Sequence, residues 1–125
     1  MIRAKNLETN FLTEYTDGTH TGASDAPAEK GGQGADFHPL ALLEASLATC
    51  VNITLRVYAQ AHGIDLPEVE TTATLTPGAE GSTFEYTVSL PASVTPEQKK
   101  RLLAATKACP IHGVLSKPIT FKLAE

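Results

Sequence analysis

The stretch HPLALLEASLATCVNITLRVYAQAHG, His38 to Gly63, limits what this chain can become more than any other. It reads as one long helix, apolar almost all the way round, with a cysteine near its middle. Pro39 suits the first helical position, where a missing N–H costs nothing, and Gly63 suits the exit, where a left-handed residue ends a helix. His38 then takes the N-cap. At about 100° per residue, Leu43, Ser46, Leu47, Cys50, Ile53, Thr54 and Val57 share one stripe. Ala41, Ala45, Ala48, Asn52 and Ala59 lie opposite. A helix apolar on all sides is buried in a core or spans a membrane. Glu44, Asn52 and Arg56 interrupt the run short of the roughly 18 apolar residues that spanning requires. The expectation is therefore a central helix, with sheet on one side and helix on the other. A chain of 125 residues rarely buries such a helix alone. The small-residue stripe would admit a second helix at close range, so a second subunit is a natural partner.

The flanking sequence alternates turns and short periodic runs. Residues 7–15, LETNFLTEY, have strand spacing, with Phe11, Thr13 and Tyr15 on one face. Thr16-Asp17-Gly18-Thr19 carries the Asp-Gly signal of a hairpin, and His20 to Asp25 reads as the returning strand. Ala26 to Asp36, with Pro27, Gly31, Gly32 and Gly34, reads as a flexible loop. Its GGQG is no dinucleotide fingerprint, because the G-x-G-x-x-G spacing and a preceding strand are both missing. After the helix, Val69, Thr71, Ala73 and Leu75 alternate with polar residues, as do Phe84, Tyr86, Val88 and Leu90. These two runs read as an antiparallel hairpin with its apolar faces turned to the helix. Thr95-Pro96-Glu97-Gln98 is a capping box opening a helix through KKRLLAATKA. Pro110 disfavours helix at Cys109, so the axis breaks there, and a short second helix begins with Cys109 at its N-cap. Pro118 to Leu123 reads as a last strand, with Ile119, Phe121 and Leu123 inward. The order β-β-α-β-β-α-β is an α+β pattern in a single domain, 1–125.

Composition narrows the function. A formal net charge of −4 argues against nucleic acid or an anionic membrane as the partner. The one basic run, Lys99-Lys100-Arg101, sits on a predicted helix as a solvated face. No apolar segment follows the first basic residues as a signal peptide would require, so the cytoplasm is expected. In that reducing setting the two cysteines, Cys50 and Cys109, read as a redox or catalytic pair or as two small buried hydrophobes. Each lies on the apolar stripe of its own helix, and side-by-side packing would bring them together. Judged locally, Cys109 at a helix start should be the more acidic thiol, and Cys50 among Leu and Val the less acidic. Candidate donors to a Cys50 thiolate are Arg3, Arg56, His20 and His112. Cys109 and His112 form a C-x-x-H pair that offers two metal ligands or a base beside a thiol, which by itself makes no structural zinc site. Glu44 is a carboxylate inside the apolar helix, either catalytic or paired with a cation or exposed at a flank.

Two segments in this order, PLALLEASLATCVNITLRVYA and ACPIHGVL, resemble the OsmC/Ohr family of thiol-dependent peroxidases, and the likeness extends over nearly the whole chain. The resemblance implies an OsmC-like fold, an intertwined homodimer whose two central helices are wrapped by antiparallel sheets. It implies that Cys50 attacks an organic hydroperoxide and becomes a sulfenic acid. Cys109 then closes a disulfide that a dithiol reductant reopens, in oxidative-stress defence. This chemistry uses sulfur alone, without cofactor or metal. The family assignment of Cys50 as attacking thiol runs against the local acidity argument. Ohr-type members carry an arginine in the first hairpin turn and a glutamate after the helix-leading proline. Here those positions are Thr16 to Thr19 and Leu40, which places the chain in an OsmC-like branch rather than Ohr proper. Glu44, Arg3 and His112 are the residues available to support the thiol. The alternative reading is a non-catalytic OsmC-like dimer that binds a small hydrophobic ligand at its interface.

Overall fold

The structure is a computed structural model describing residues 1–124, and it mixes helices with antiparallel sheet as expected. The chain divides into two compact units, Met1–Leu43 and the remainder from Glu44 onward.

The first unit holds a three-stranded antiparallel sheet of β1 (Arg3–Asn6), β2 (Thr13–Thr16) and β3 (Thr21–Ser24), in that order. The strand expected over 7–15 is confined to its last residues. Residues 7–12 instead fold into a tight turn closed by Leu7 N donating to Leu12 O at 2.8 Å, with Phe11 left-handed at φ 57°. That turn frees the preceding residues to form β1, which pairs Arg3 with Thr16. The Asp-Gly hairpin is present. Asp17 accepts from the backbone N–H groups of His20 and Thr19 at 2.6 and 2.8 Å, and from His20 Nδ1 at 2.9 Å. The His20 N–H and ring and the Thr19 N–H hold its carboxyl down at about 2. The glycine-containing loop is organised on one side chain. The buried Asp25 carboxylate accepts from Ala26, Gln33 and Ala35 N–H, at 2.8, 3.2 and 3.1 Å.

Helix α1 (Pro39–Ala61) starts and stops where its punctuation dictates. Leu40 N donates to His38 Nδ1 at 3.2 Å, so the histidine does cap. Gly63 takes φ 65°, and Ile64 N donates back to Ala59 O at 2.9 Å, the closure that a left-handed exit residue permits. The buried face, however, differs from the predicted stripe. Leu47, Val51, Leu55 and Ala59 form the inner ridge, at spacing i, i+4, while Ile53 and Val57 are 63% and 60% exposed. Periodicity picks no face on a helix that is apolar all round, and tertiary partners make the choice. By length and composition α1 is apolar enough to cross a membrane, despite its interrupting polar residues. Its ridge is instead packed inside the protein.

The partners of that ridge are in the second unit. β4 (Glu70–Thr76) and β5 (Thr83–Ser89) pair antiparallel, with Glu70 opposite Ser89 and Thr76 opposite Thr83. Their half-buried faces, Ala73, Phe84, Tyr86 and Val88, pack on the core of Leu47, Val51, Leu55, Ile64, Leu66, Leu102 and Cys109. Two polar residues of α1 fasten β4. Glu44 Oε2 accepts from Leu75 N at 2.8 Å. Asn52 donates to Val69 O at 3.0 Å and accepts from Thr71 Oγ1 at 2.7 Å. α2 (Pro96–Ala105) opens with the expected capping box: Gln98 N donates to Thr95 Oγ1, and Thr95 N donates to Gln98 Oε1. A 3₁₀ turn over Thr106–Ala108 follows, and Cys109 leaves the helical region with ψ 123° before Pro110 starts α3 (Pro110–Leu115). The last expected strand is not formed. Residues 118–124 run without a ladder partner among the described residues, leaving Phe121 and Leu123 95% and 93% exposed.

Candidate active site at Cys50 and Cys109

The two thiols meet. Cys50 sits half-buried on the fourth turn of α1, and Cys109 is 1% exposed at the N-cap of α3. Both are free cysteines. Their environments polarise the pair. Burial pushes the Cys50 thiol up, but hydrogen bonds from the Cys109 thiol, the Ile111 N–H and the Thr54 hydroxyl outweigh it and hold Cys50 below the ordinary thiol range. Burial pushes Cys109 up, and holding its proton toward Cys50 adds to this. The N–H groups of His112 and Ile111 act the other way without winning. The local expectation of an acidic Cys109 is thus reversed. The helix start does supply a bond, with His112 N donating to Cys109 Sγ at 3.4 Å. Backbone donors at the helix start do not offset near-complete burial among Leu47, Val51 and Leu102.

The supporting candidates are distributed otherwise than sequence suggested. Glu44 spends its carboxylate on the Leu75 N–H. The His112 ring points to Ser116 Oγ at 3.3 Å and lies edge-on to Tyr86, so its backbone, not its imidazole, serves the thiols. His20 is exposed and paired with Asp17 in the first unit. Arg3 is an exposed residue of β1 in that unit. Arg56 is exposed and borders a separate groove with Gln60 and Leu66. The residues that do serve Cys50 are Thr54 and Ile111. Thr54 was within reach of sequence reasoning, because it lies at i+4 on the same helix. Ile111 N–H was not, since it depends on how α3 returns to α1.

Cys50 lies in the wall of an apolar groove of about 790 Å³, bounded by Ile53, Val57 and Tyr58 of α1 and by Ala105, Ala108 and Ile111. No arginine or lysine lines it among the described residues. A thiolate here is stabilised by fixed hydrogen-bond donors rather than by a cation, in a space suited to a carbon chain. Such a site can direct a sulfur nucleophile at an apolar electrophile, with a second thiol beside it.

Residues 32–124 match the family model described as OsmC-like protein. Solved structures of several such proteins share the fold. One is an osmotic-stress-induced and detoxification response protein of Psychrobacter arcticus, 20% identical with a TM-score of 0.74, over 89% of this chain and 85% of that one. An OsmC-like protein of Mycoplasma pneumoniae is 20% identical with a TM-score of 0.72, over 93% and 86%. The organic hydroperoxide resistance protein OsmC of Legionella pneumophila is 23% identical with a TM-score of 0.66, over 91% and 86%. None of the curated proteins matches the chain. The extent of the family match, over the central helix, both cysteines and the segment between them, makes this chain a member of the OsmC-like protein family.

Proposed function

We propose that the chain is a homodimeric, cytoplasmic thiol peroxidase that reduces organic hydroperoxides. The observation that carries this reading is the polarised thiol pair, Cys50 lowered and Cys109 raised, opening on an apolar groove. The Cys50 thiolate attacks the terminal peroxide oxygen. The O–O bond breaks, the alkoxide leaves and takes a proton as the alcohol, and Cys50 becomes a sulfenic acid. The Cys109 sulfur, giving up its proton, displaces hydroxide from the sulfenic sulfur, releasing water and forming the Cys50–Cys109 disulfide. A dithiol restores both thiols by exchange and is itself oxidised to a disulfide. Thr54 O–H and Ile111 N–H take the place that a cation has in other thiolate sites. The hydroperoxide resistance of the Legionella relative is consistent with this chemistry, and the uncovered Ile53 and Val57 favour a second subunit.

Intact-mass measurement after one equivalent of an alkyl hydroperoxide tests the proposal. The reduced protein is expected to lose two hydrogens. Cys109→Ser is expected to gain one oxygen at Cys50, and Cys50→Ser to show neither change. Full turnover by Cys50→Ser would reverse the roles. The second reading, a binding protein with inert cysteines, is favoured by the groove's apolar lining. Rapid disulfide formation would exclude it.

A further inference from the structure

The two thiols ride on different elements, and both elements are tied to the same hairpin. Asn52, on the same helix just beyond Cys50, fastens α1 to β4 through Val69 O and Thr71 Oγ1. The corner that carries Cys109 is tied to β5 by Tyr86. The alternation of β5 turns Tyr86 inward with Phe84 and Val88, and in register it lies opposite Ala73 of β4. Its hydroxyl is 3.1 Å from Thr106 Oγ1. Thr106, 4% exposed, gives its own proton to Leu103 O at 2.8 Å, so Tyr86 is the donor of the pair. Thr106 opens the turn before the thiol, and its carbonyl accepts from Cys109 N at 3.2 Å. The Tyr86 ring meets the turn after the thiol, edge-on to His112 with centroids 6.3 Å apart. His112 is also the residue whose N–H donates to Cys109 Sγ. One side chain thus grips the chain on either side of Cys109. Beside it the packing is loose, with a cavity of about 190 Å³ bounded by Leu47, Phe84, His112 and Leu115.

We infer that Tyr86 is the positioning residue of the second thiol, holding Cys109 where it can bond to Cys50. The inference rests on the peroxidase reading, in which Cys109 must reach the Cys50 sulfenic sulfur. A disulfide brings its sulfurs to about 2.05 Å, closer than two hydrogen-bonded thiols, and small errors in such an approach cost rate steeply. Asn52 fixes one partner of the approach and Tyr86 the other, both against the β4–β5 ladder. Tyr86 acts through the Thr106 turn and His112 rather than on sulfur. The same grip keeps the Cys109 thiol and the Ile111 N–H directed at Cys50.

The test follows thiopyridone release from the reduced full chain mixed with dithiodipyridine, a neutral aromatic disulfide. In the first phase the Cys50 thiolate displaces one thiopyridone and leaves a mixed disulfide. In the second, Cys109 gives up its proton, displaces the other thiopyridone and closes the Cys50–Cys109 bond. Above the ordinary thiol pKa of about 8.5, Tyr86→Phe should keep the first phase and slow the second about fivefold, the rate worth of one net hydrogen bond. The pH midpoint of its first phase should move up, because the donors from the Cys109 corner reach Cys50 less often. Thr106→Val should slow the second phase likewise, the double variant should be no slower than either alone, and Thr106→Ser should keep the wild-type rate. Thr87→Val, which breaks the Thr72–Thr87 hydroxyl pair on the outer face of the same hairpin, should change neither phase. An unchanged second phase in Tyr86→Phe would overturn the inference, as would additive slowing in the double variant, equal slowing in Thr87→Val, or a wild type that stops after the first phase. A chain that gives both phases with the disulfide but ignores alkyl hydroperoxides loses the peroxidase reading alone, and the second phase still decides the role of Tyr86.

Discussion

At the scale of single residues, the reactivity of this site is set by who donates to whom. Cys50 accepts three hydrogen bonds and Cys109 gives one of them, so two thiols of equal intrinsic acidity are driven apart. The sign of the pH dependence follows. Cys50 stays a thiolate at pH values where an ordinary cysteine is protonated, and the peroxide rate falls only when pH drops through its lowered pKa. Thr54→Val removes one donor at nearly constant volume. The midpoint of the pH–rate profile should move up by about one unit, as expected for the loss of a hydrogen bond to a charged group. The cysteine pair and its two helical settings were legible in the sequence. The order of acidity was not, because it depends on the Ile111 N–H and on the Cys109 thiol, which reach Cys50 only through the tertiary fold. Reasoning from the helix start alone gave the wrong thiol.

At the scale of elements, α1 both presents the nucleophile and fastens the sheet beneath it. Its ends were readable from Pro39, His38 and Gly63, and α2 from its capping box. Its buried ridge was not, because nearly every position is apolar or small. Glu44 shows what the sequence hides. A carboxylate in an apolar helix suggests catalysis, yet here it satisfies a strand N–H. Glu44→Ala should leave that part-buried donor unpaired and cost about 1–3 kcal/mol in urea unfolding, with the thiol chemistry unaffected at low denaturant. Leu55→Ala, on the fully buried ridge, should cost more, about 2–5 kcal/mol by the same measurement.

At the scale of the whole molecule, the apolar residues left uncovered are as informative as those buried. Ile53 and Val57 of α1 lie open, and the run 118–124 has strand character without a strand. A strand needs a neighbour to complete its ladder, which a periodicity argument cannot supply. In the proposed homodimer, light scattering should give twice the chain mass, and Ile53→Glu should give the monomer by burying an unpaired charge. The sulfur of Cys109 belongs at once to two structures, as cap of α3 and as proton donor to Cys50, while the first turn of α3 returns the Ile111 N–H to the same thiol. The path from Thr106 to Ile111 therefore has no slack. Inserting or deleting a single codon there would rotate sulfur and amide out of step with each other, so this brief passage should tolerate changes of side chain far better than changes of length.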